Sequence, residues 1–559
     1  MRRSFTLVMS LAFVAAACQP AASSPSAGPP GTQAVGSVAP GTPAAVATPP
    51  TISRDPKTLV IAVDAFGSDF DPASSYLLAQ GLIWRGTYDP LVRLKGGSAD
   101  QIEAALAETW EANTDSSVWT FHLRKNVKFT DGTPFDAAAV KANYVRTIKL
   151  ALGTQLIIGA FITDPEKQIV VVDPSTVRFD LGSSVPHFGL VLAAEWGTGI
   201  ASPKVFTDQS KGPEDQGHEY LLAHAVGTGP YIVTSIAPDD QVVLDKNPEY
   251  WGGWSGDHFD KIIIRSVPNG ATRRQLIESG DVDISIASTS EDTAAIKADP
   301  RFFIPGQTNL AMDHIVLGDY GLLDKPEARQ AMTYLFPYDD YIATVAKGDL
   351  ARPNSVLPDL LLTSVKDYAP KTDLEKAKTL FQTAGIPQGT KFTYEYYTGF
   401  GKEAGEVMQA QLQQVGMQLE IIEKSFSAFN GDLTSDRPVD QRANMYFWGW
   451  WPDYNHPSNY SWILFDSAAA PDACPCYNSG YYKNADVDKI IDDGFGQADP
   501  TKLAASFKEA QRIMGQDVDP PIIAVGQPID TTYYRTDILG QVSNPLYIFT
   551  WDFWALHRG

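Results

Sequence analysis

Lys391-Phe-Thr-Tyr-Glu-Tyr396, the run from Glu403 to Val415, and Met417-Gln-Leu-Glu-Ile421 read as one unit, and that unit decides the fold class. The first piece is a strand. In the second, Val407, Met408, Leu412 and Val415 recur at helical spacing and face inward. In the third, Met417, Leu419 and Ile421 alternate as a strand does. Strand, helix and strand of these lengths form a parallel βαβ unit, because parallel neighbours need a long crossover. Just upstream, Thr372-Asp-Leu-Glu375 has the form of a capping box. It opens a helix with Leu374, Ala377, Leu380, Phe381 and Ala384 on one side, closed by Gly385 and Pro387. The chain is therefore α/β.

One strand further on lies Tyr446-Phe-Trp-Gly-Trp-Trp-Pro-Asp-Tyr-Asn-His-Pro-Ser-Asn-Tyr460, with seven aromatic residues, two prolines, one glycine and one carboxylate. A buried helix or strand would space such rings regularly and would exclude Pro452 and Pro457. Two readings fit the composition. One is a strand ending in a binding loop, with flat apolar walls and a fixed anion at Asp453. The other is an aromatic core corner in which Asp453 is a turn residue. Its place at the end of a strand favours the first, since α/β folds seat ligands in strand-ending loops.

Length and charge narrow the classes. At 559 residues the chain exceeds one core. A formal charge of −22 without any basic run argues against nucleic acid, whose phosphates require clustered Lys and Arg. At the N-terminus, Arg2 and Arg3 precede an apolar stretch from Phe5 to Ala17, the shape of a signal peptide over residues 1–17. Ala15-Ala-Ala-Cys18 is similar to a lipobox with Ala15 in place of the usual Leu, so Cys18 is the expected lipidation site. An ordinary Ala-x-Ala cleavage site is the alternative. Residues 18–55 are expected to be a tether, because Gln19 to Ser53 lacks charged and aromatic residues and cannot offset its ordering entropy. Arg-Arg-Ser-Phe also permits twin-arginine export. Cys474 and Cys476 flank Pro475; a local disulfide or two thiols suits them better than a metal site, which would need more soft ligands. No metal or cofactor is expected.

In the first half, Trp119, Phe121 and Leu123 alternate as a half-buried strand, which Val127 and Phe129 are expected to continue. Asp136 is a candidate N-cap, and Ile169 to Leu181 reads as a hairpin. Gly227-Thr-Gly-Pro-Tyr231 has neither phosphate-loop spacing, and Pro230 lacks a donor; it reads as a structural turn.

Leu106-Ala-Glu-Thr-Trp-Glu111 with Thr120-Phe-His-Leu-Arg-Lys-Asn-Val-Lys-Phe-Thr-Asp-Gly-Thr-Pro-Phe135 resembles the signature of family 5 extracellular solute-binding proteins. Gly227–Tyr231, Asn247-Pro-Glu-Tyr-Trp-Gly252, Ile277-Glu-Ser-Gly-Asp-Val-Asp283, Arg329-Gln-Ala-Met332 and Ala384-Gly385 resemble its later blocks, in family order. Gly449-Trp-Trp-Pro-Asp-Tyr454 is similar to the family's Gly-Trp-x-x-Asp-Tyr loop. The resemblance implies an α/β, two-lobed periplasmic-binding-protein-like fold (type II, the large three-subdomain class) with a hinge between lobes. On that template residues 56–98, 222–306 and 521–559 form the core of lobe I, 99–221 its extra subdomain and 307–520 lobe II.

The resemblance also implies a function: an extracytoplasmic, lipid-anchored component of an ABC importer. It would act as a monomer, capturing a small ligand, most simply an oligopeptide, for a permease and ATPase complex. Asp453 would hold the ligand's α-ammonium group, and Gly449 and Trp451 would pair with an extended peptide. Trp450 would pack beneath the strand, with Phe447 and Tyr454 completing the site. Two positions depart from the pattern: His456 stands where a second acidic residue is frequent, and Phe447 where oligopeptide binders can carry a cation. An oligosaccharide on a tryptophan floor is thus the alternative ligand. A secreted hydrolase is the rival class, and the chain contains neither G-x-S-x-G nor HExxH.

Overall fold

The computed structural model describes residues 55–66, 69–74, 78–287, 289–474, 476–547 and 551–559, with backbone alone for 78–80. The signal peptide, Cys18 and all but the last residue of the tether lie outside the described residues. Among the described residues no helix is long and apolar enough to cross a membrane.

Three sheets organise the chain. A seven-stranded sheet runs in the order Phe302–Phe303, Tyr533–Arg535, Ile284–Ser285, Thr58–Val63, Lys261–Ser266, Gln241–Lys246 and Tyr231–Ala237. A six-stranded sheet runs Leu350–Ala351, Ile522–Pro528, Met312–Leu317, Met445–Trp450, Lys391–Tyr397 and Gln418–Lys424. A four-stranded antiparallel sheet, Ala107–Ala112, Val118–Leu123, Thr176–Asp180 and Ile169–Asp173, comes from the segment between Thr58–Val63 and Tyr231–Ala237 of the seven-stranded sheet.

The βαβ unit is present as read. Lys391–Tyr397 and Gln418–Lys424 pair in parallel across the helix Lys402–Gln414, which buries Met408 and Leu412. Met445–Trp450 adds parallel to Lys391–Tyr397 on its other side and antiparallel to Met312–Leu317. The helix Leu374–Ala384 buries Ala377, Phe381 and Ala384 as expected, but its cap is Asp373. The Asp373 carboxylate accepts from the Lys376 N–H at 2.9 Å, while the Thr372 hydroxyl donates to the Phe336 carbonyl at 2.6 Å. The capping box is displaced because Thr372 is drawn to a tertiary partner.

Asp136 caps the helix Ala137–Leu150 through the Ala139 N–H. Val127 and Phe129 are buried yet do not extend the Val118–Leu123 strand. Asn126 turns the chain with φ of 64°, so these residues reach the core from a loop. Gly227 and Gly229 serve packing, as the turn reading required: a Cβ at either would stand 2.2 Å from the Thr87 carbonyl oxygen or 2.5 Å from its carbon.

The chain crosses between the two large sheets twice, after Phe302–Phe303 and after Ile522–Pro528. The crossings are bonded to each other. Thr308 bridges Ile529, the Gly306 N–H donates to the Asp530 carbonyl at 3.0 Å, and the Asp530 N–H returns to Gln307 at 2.8 Å. The sequence division put the second boundary at 521. Ile522–Pro528 instead pairs with Met312–Leu317 in the six-stranded sheet, so the crossing falls after Pro528. The apolar run Ile522–Val525 is equally suited to the interior of either sheet, and so its sequence does not choose.

Near the start of the fold Asp71 is wholly buried. Arg146 donates to its two oxygens at 2.8 and 2.5 Å, and His218 Nδ1 lies 2.9 Å away. Burial works to raise the Asp71 carboxyl, but hydrogen bonds from Arg146 and His218 outweigh it and hold the carboxyl below its ordinary value. The bond to Asp71 in turn raises His218, against partial burial.

Candidate functional site

Alternation along Met445–Trp450 sorts the aromatic stretch. Met445 and Phe447 enter the apolar core beneath the helices, Phe447 meeting the Phe400 ring edge-on at 4.8 Å. Tyr446, Trp448 and Trp450 face the other way. Trp448 stacks on Tyr477 at 5.6 Å and 8°, and Trp450 approaches the same ring at 5.7 Å. Tyr477 directly follows Cys476, which is disulfide-bonded to Cys474. Phe447 and Trp450 therefore sit in packing, and the rings of Trp448 and Trp450 already carry an aromatic partner.

Past Trp450 the strand ends. Trp451 is part exposed, and its indole N–H is buried without a hydrogen bond. Asn459 clamps Asp453: the Asp453 N–H donates to Asn459 Oδ1 at 3.0 Å, and Asn459 Nδ2 donates to the Asp453 carboxylate at 3.1 Å. Burial pushes the Asp453 carboxyl up to about 6, the Asn459 bond pulling the other way. His456 caps the helix Pro457–Phe465 by accepting from the Ser458 N–H, with Pro457 in its first turn. Local chemistry thus fixes the loop: a strand end, two prolines, an Asn clamp and a capped helix.

This loop meets the segment carrying the four-stranded sheet. Tyr454 lies 6.5 Å from Phe161 and stacks on His187 at 5.5 Å. His187 and His456 stack at 3.9 Å and 20°, and Phe495 lies parallel to His456 at 6.1 Å. Both imidazoles are held neutral. Burial lowers His456 to about 3; burial first, then His456 as a neighbour, lowers His187 well below its ordinary value.

Reading the residues in sequence order misses two of these. His187 carries no local signal. Asp313 does: it stands in Met-Asp-His-Ile-Val-Leu317 in phase with Ile315 and Leu317, a carboxylate at a core-facing position. It pairs with Gly449 across the sheet. Among the described residues no group of three or more His, Cys, Asp or Glu is placed to hold a metal.

The site brings together a buried carboxylate, strand-end main chain and aromatic rings. A family model described as "Bacterial extracellular solute-binding proteins, family 5 Middle" matches residues 101–472. The chain is 26% identical over 471 residues to the probable D,D-dipeptide-binding periplasmic protein DdpA of Escherichia coli K12, covering 82% of this chain and 86% of that protein. It superposes on the periplasmic binding protein DppA of Helicobacter pylori in complex with peptide STSA, with TM-score 0.75, 24% identity, and coverage of 90% and 98%. It is also similar to NikZ of Campylobacter jejuni in complex with Ni(L-His), with TM-score 0.76, 18% identity, and coverage of 90% and 100%. With its motifs, sheets and family match in agreement, the chain belongs to family 5 of the bacterial extracellular solute-binding proteins, a family of binding proteins and not of enzymes.

Proposed function

We propose that this protein captures peptides with a free α-amino group outside the cytoplasm, holding the ammonium at Asp453, and hands them to an ABC permease. The observation that carries the reading is Asp453 itself, a buried carboxylate oriented by Asn459 where a strand ends. A relative named for a dipeptide and a similar structure holding peptide STSA support the same ligand class. Trp448 already stacks on Tyr477 and Trp450 lies tilted against the same ring, which favours a peptide over a sugar needing open ring faces. Gly449 and Trp451 offer the main chain for pairing, and Tyr454 with His456 shapes the closing face. Cys18 carries the lipid that keeps the folded body at the membrane; mass spectrometry of the mature N-terminus tests this, and an unmodified Cys18 would reject it.

A charge-assisted hydrogen bond in a site closed to water contributes roughly 1.5–3 kcal/mol. Asp453→Asn is therefore expected to weaken free-amine peptides by about 10–100-fold and to leave their N-acetylated forms nearly unchanged. Calorimetry showing equal losses for both forms would reject the ammonium anchor. The pH dependence has a definite sign. Only the ionised carboxylate pairs with an ammonium, and the free site titrates at about 6. Affinity is then steady above pH 7 and falls to roughly a tenth at pH 5. In Asp453→Asn that slope should vanish.

A further inference from the structure

We infer that Asp313 is a second ligand-binding carboxylate, which takes a cationic side chain of the captured molecule in a notch at Gly449. The inference rests on reading the Asp453 loop as the ligand seat and adds a charge requirement to it.

The Met312–Leu317 strand lies inside the six-stranded sheet, between Met445–Trp450 and Ile522–Pro528. Asp313 shares a face with Ile315 and Leu317, which pack with Phe447, Ile523 and Val525. A carboxylate in an aliphatic row is costly, and here its partners across both strands are glycines: Gly449 on one side and Gly526 on the other. The glycine at 449 is needed for the acid to stand there. A Cβ would lie 2.9 Å from Asp313 Oδ1 and 3.2 Å from the rings of Phe400 and Trp451. Over Gly526 the corresponding space is filled by Leu350 and Ile342, so the approach to the acid lies over Gly449, beneath the Phe400 and Trp451 rings.

Asp313 Oδ1 is buried and makes no hydrogen bond. Native proteins rarely leave such an atom unsatisfied, and one that is left needs an explanation. Among the described residues no Lys or Arg forms an ion pair with it, and burial pushes its carboxyl up to about 7. Burial first, and then the Asp313 charge, raises the phenols of Tyr341, Tyr397 and Tyr460, which places those rings nearby. An anion among aromatic faces is the surrounding that a guanidinium or ammonium prefers. Trp451 closes the notch on the side of the Asp453 loop. It is part exposed, and its ring stands 3.2 Å from where a Gly449 Cβ would be, so admitting a cationic side chain requires that ring to move. A peptide anchored at Asp453 and laid along Gly449 would carry a side chain over this notch.

The test uses the full chain and three tripeptide libraries, X-Ala-Ala, Ala-X-Ala and Ala-Ala-X, with X drawn from Lys, Arg, norleucine, citrulline, Leu and Glu. Peptides retained after rapid desalting are read by mass spectrometry. The wild type is expected to enrich Lys or Arg over norleucine and citrulline by about tenfold in one library. Asp313→Asn, nearly isosteric, should remove that preference while still retaining the Leu member. Gly449→Ala, which fills the notch and leaves the acid, should remove it as well. An unchanged preference in both variants, or none in the wild type, overturns the inference. Retention of no peptide at all would reject the peptide reading instead, and agmatine and spermidine then become the probes. Their binding to the wild type and loss in Asp313→Asn would sustain the Asp313 site without a peptide; failure of both amines would remove it too.

Discussion

Replacing Arg146 with methionine is expected to cost about 3–5 kcal/mol, the range for removing one partner of a buried ion pair. Arg146 and Asp71 are 2% and 0% exposed, and the guanidinium also donates to the Gln216 carbonyl at 2.8 Å and lies over the Phe206 ring at 4.6 Å. Methionine keeps the apolar contact and removes the donors. Asp71 would retain the Ala73 N–H and His218, too little for a wholly buried charge. Its folded-state pKa should then rise above that of the unfolded chain. With that sign, the native state holds a proton the unfolded state has released, so the loss grows as pH rises from about 4 upward. Urea titrations at pH 5 and pH 8 read this directly. A second change, Asp71→Asn on the Arg146→Met background, should restore much of the stability at pH 8. A loss under 1 kcal/mol in the single variant would mean that the pair does not hold this part of the fold.

A second large effect lies in how stability varies with pH, where two sets of buried groups oppose each other. Burial pushes Asp313 and Asp466 up to about 7 and Asp453 to about 6. Each holds its proton in the folded state where the unfolded chain has lost it, so each contributes stability that declines between pH 4 and 7. Burial lowers His314 to about 4 and His456 to about 3, with His187 also well below its ordinary value. Those groups do the reverse: the unfolded chain gains protons below about pH 6.5 and the fold does not, so stability is lost on acidification. The wild-type profile over pH 4–6.5 is expected to be shallow because the slopes cancel. Asp313→Asn removes one falling slope, and its stability relative to wild type should climb with pH to about 7. The climb is on the order of 2–4 kcal/mol, since each pKa unit corresponds to about 1.4 kcal/mol. His456→Phe should gain relative stability as pH falls below 6.5. Denaturant midpoints at four pH values separate the slopes; profiles parallel to wild type would show that neither group is titrated across unfolding.

What could be read from sequence was local. Lys391 to Ile421 carries its periods, its breakers and a crossover of the right length within one window, so strand, helix and parallel return were all legible. Asp136 announces its helix in the same way. The displaced cap at Asp373 was not legible, because Thr372 is diverted by the Phe336 carbonyl from another element. Of the binding stretch, the strand end and the Asp453 position were legible. The burial of Phe447 against Phe400 depends on a loop that no spacing relates to it. Asp313 needed both neighbouring strands before its two glycines and orphan oxygen made sense together. The His187–His456 stack joins parts far apart in sequence through residues with no pattern of their own.

The paired crossings at Thr308 and Ile529 have a consequence for how small that stack can be. Two bonded segments tether the faces carrying Phe161 with His187 and Tyr454 with His456, so their meeting is intramolecular. Its effective concentration is set by the short tether and reaches about millimolar or above, whatever the protein's own concentration. A handful of rings can then bring the faces together, where separate molecules would need an interface of about 1,000 Å² or more. Were the faces to part, the covalent connection, not the stack, would keep them within reach.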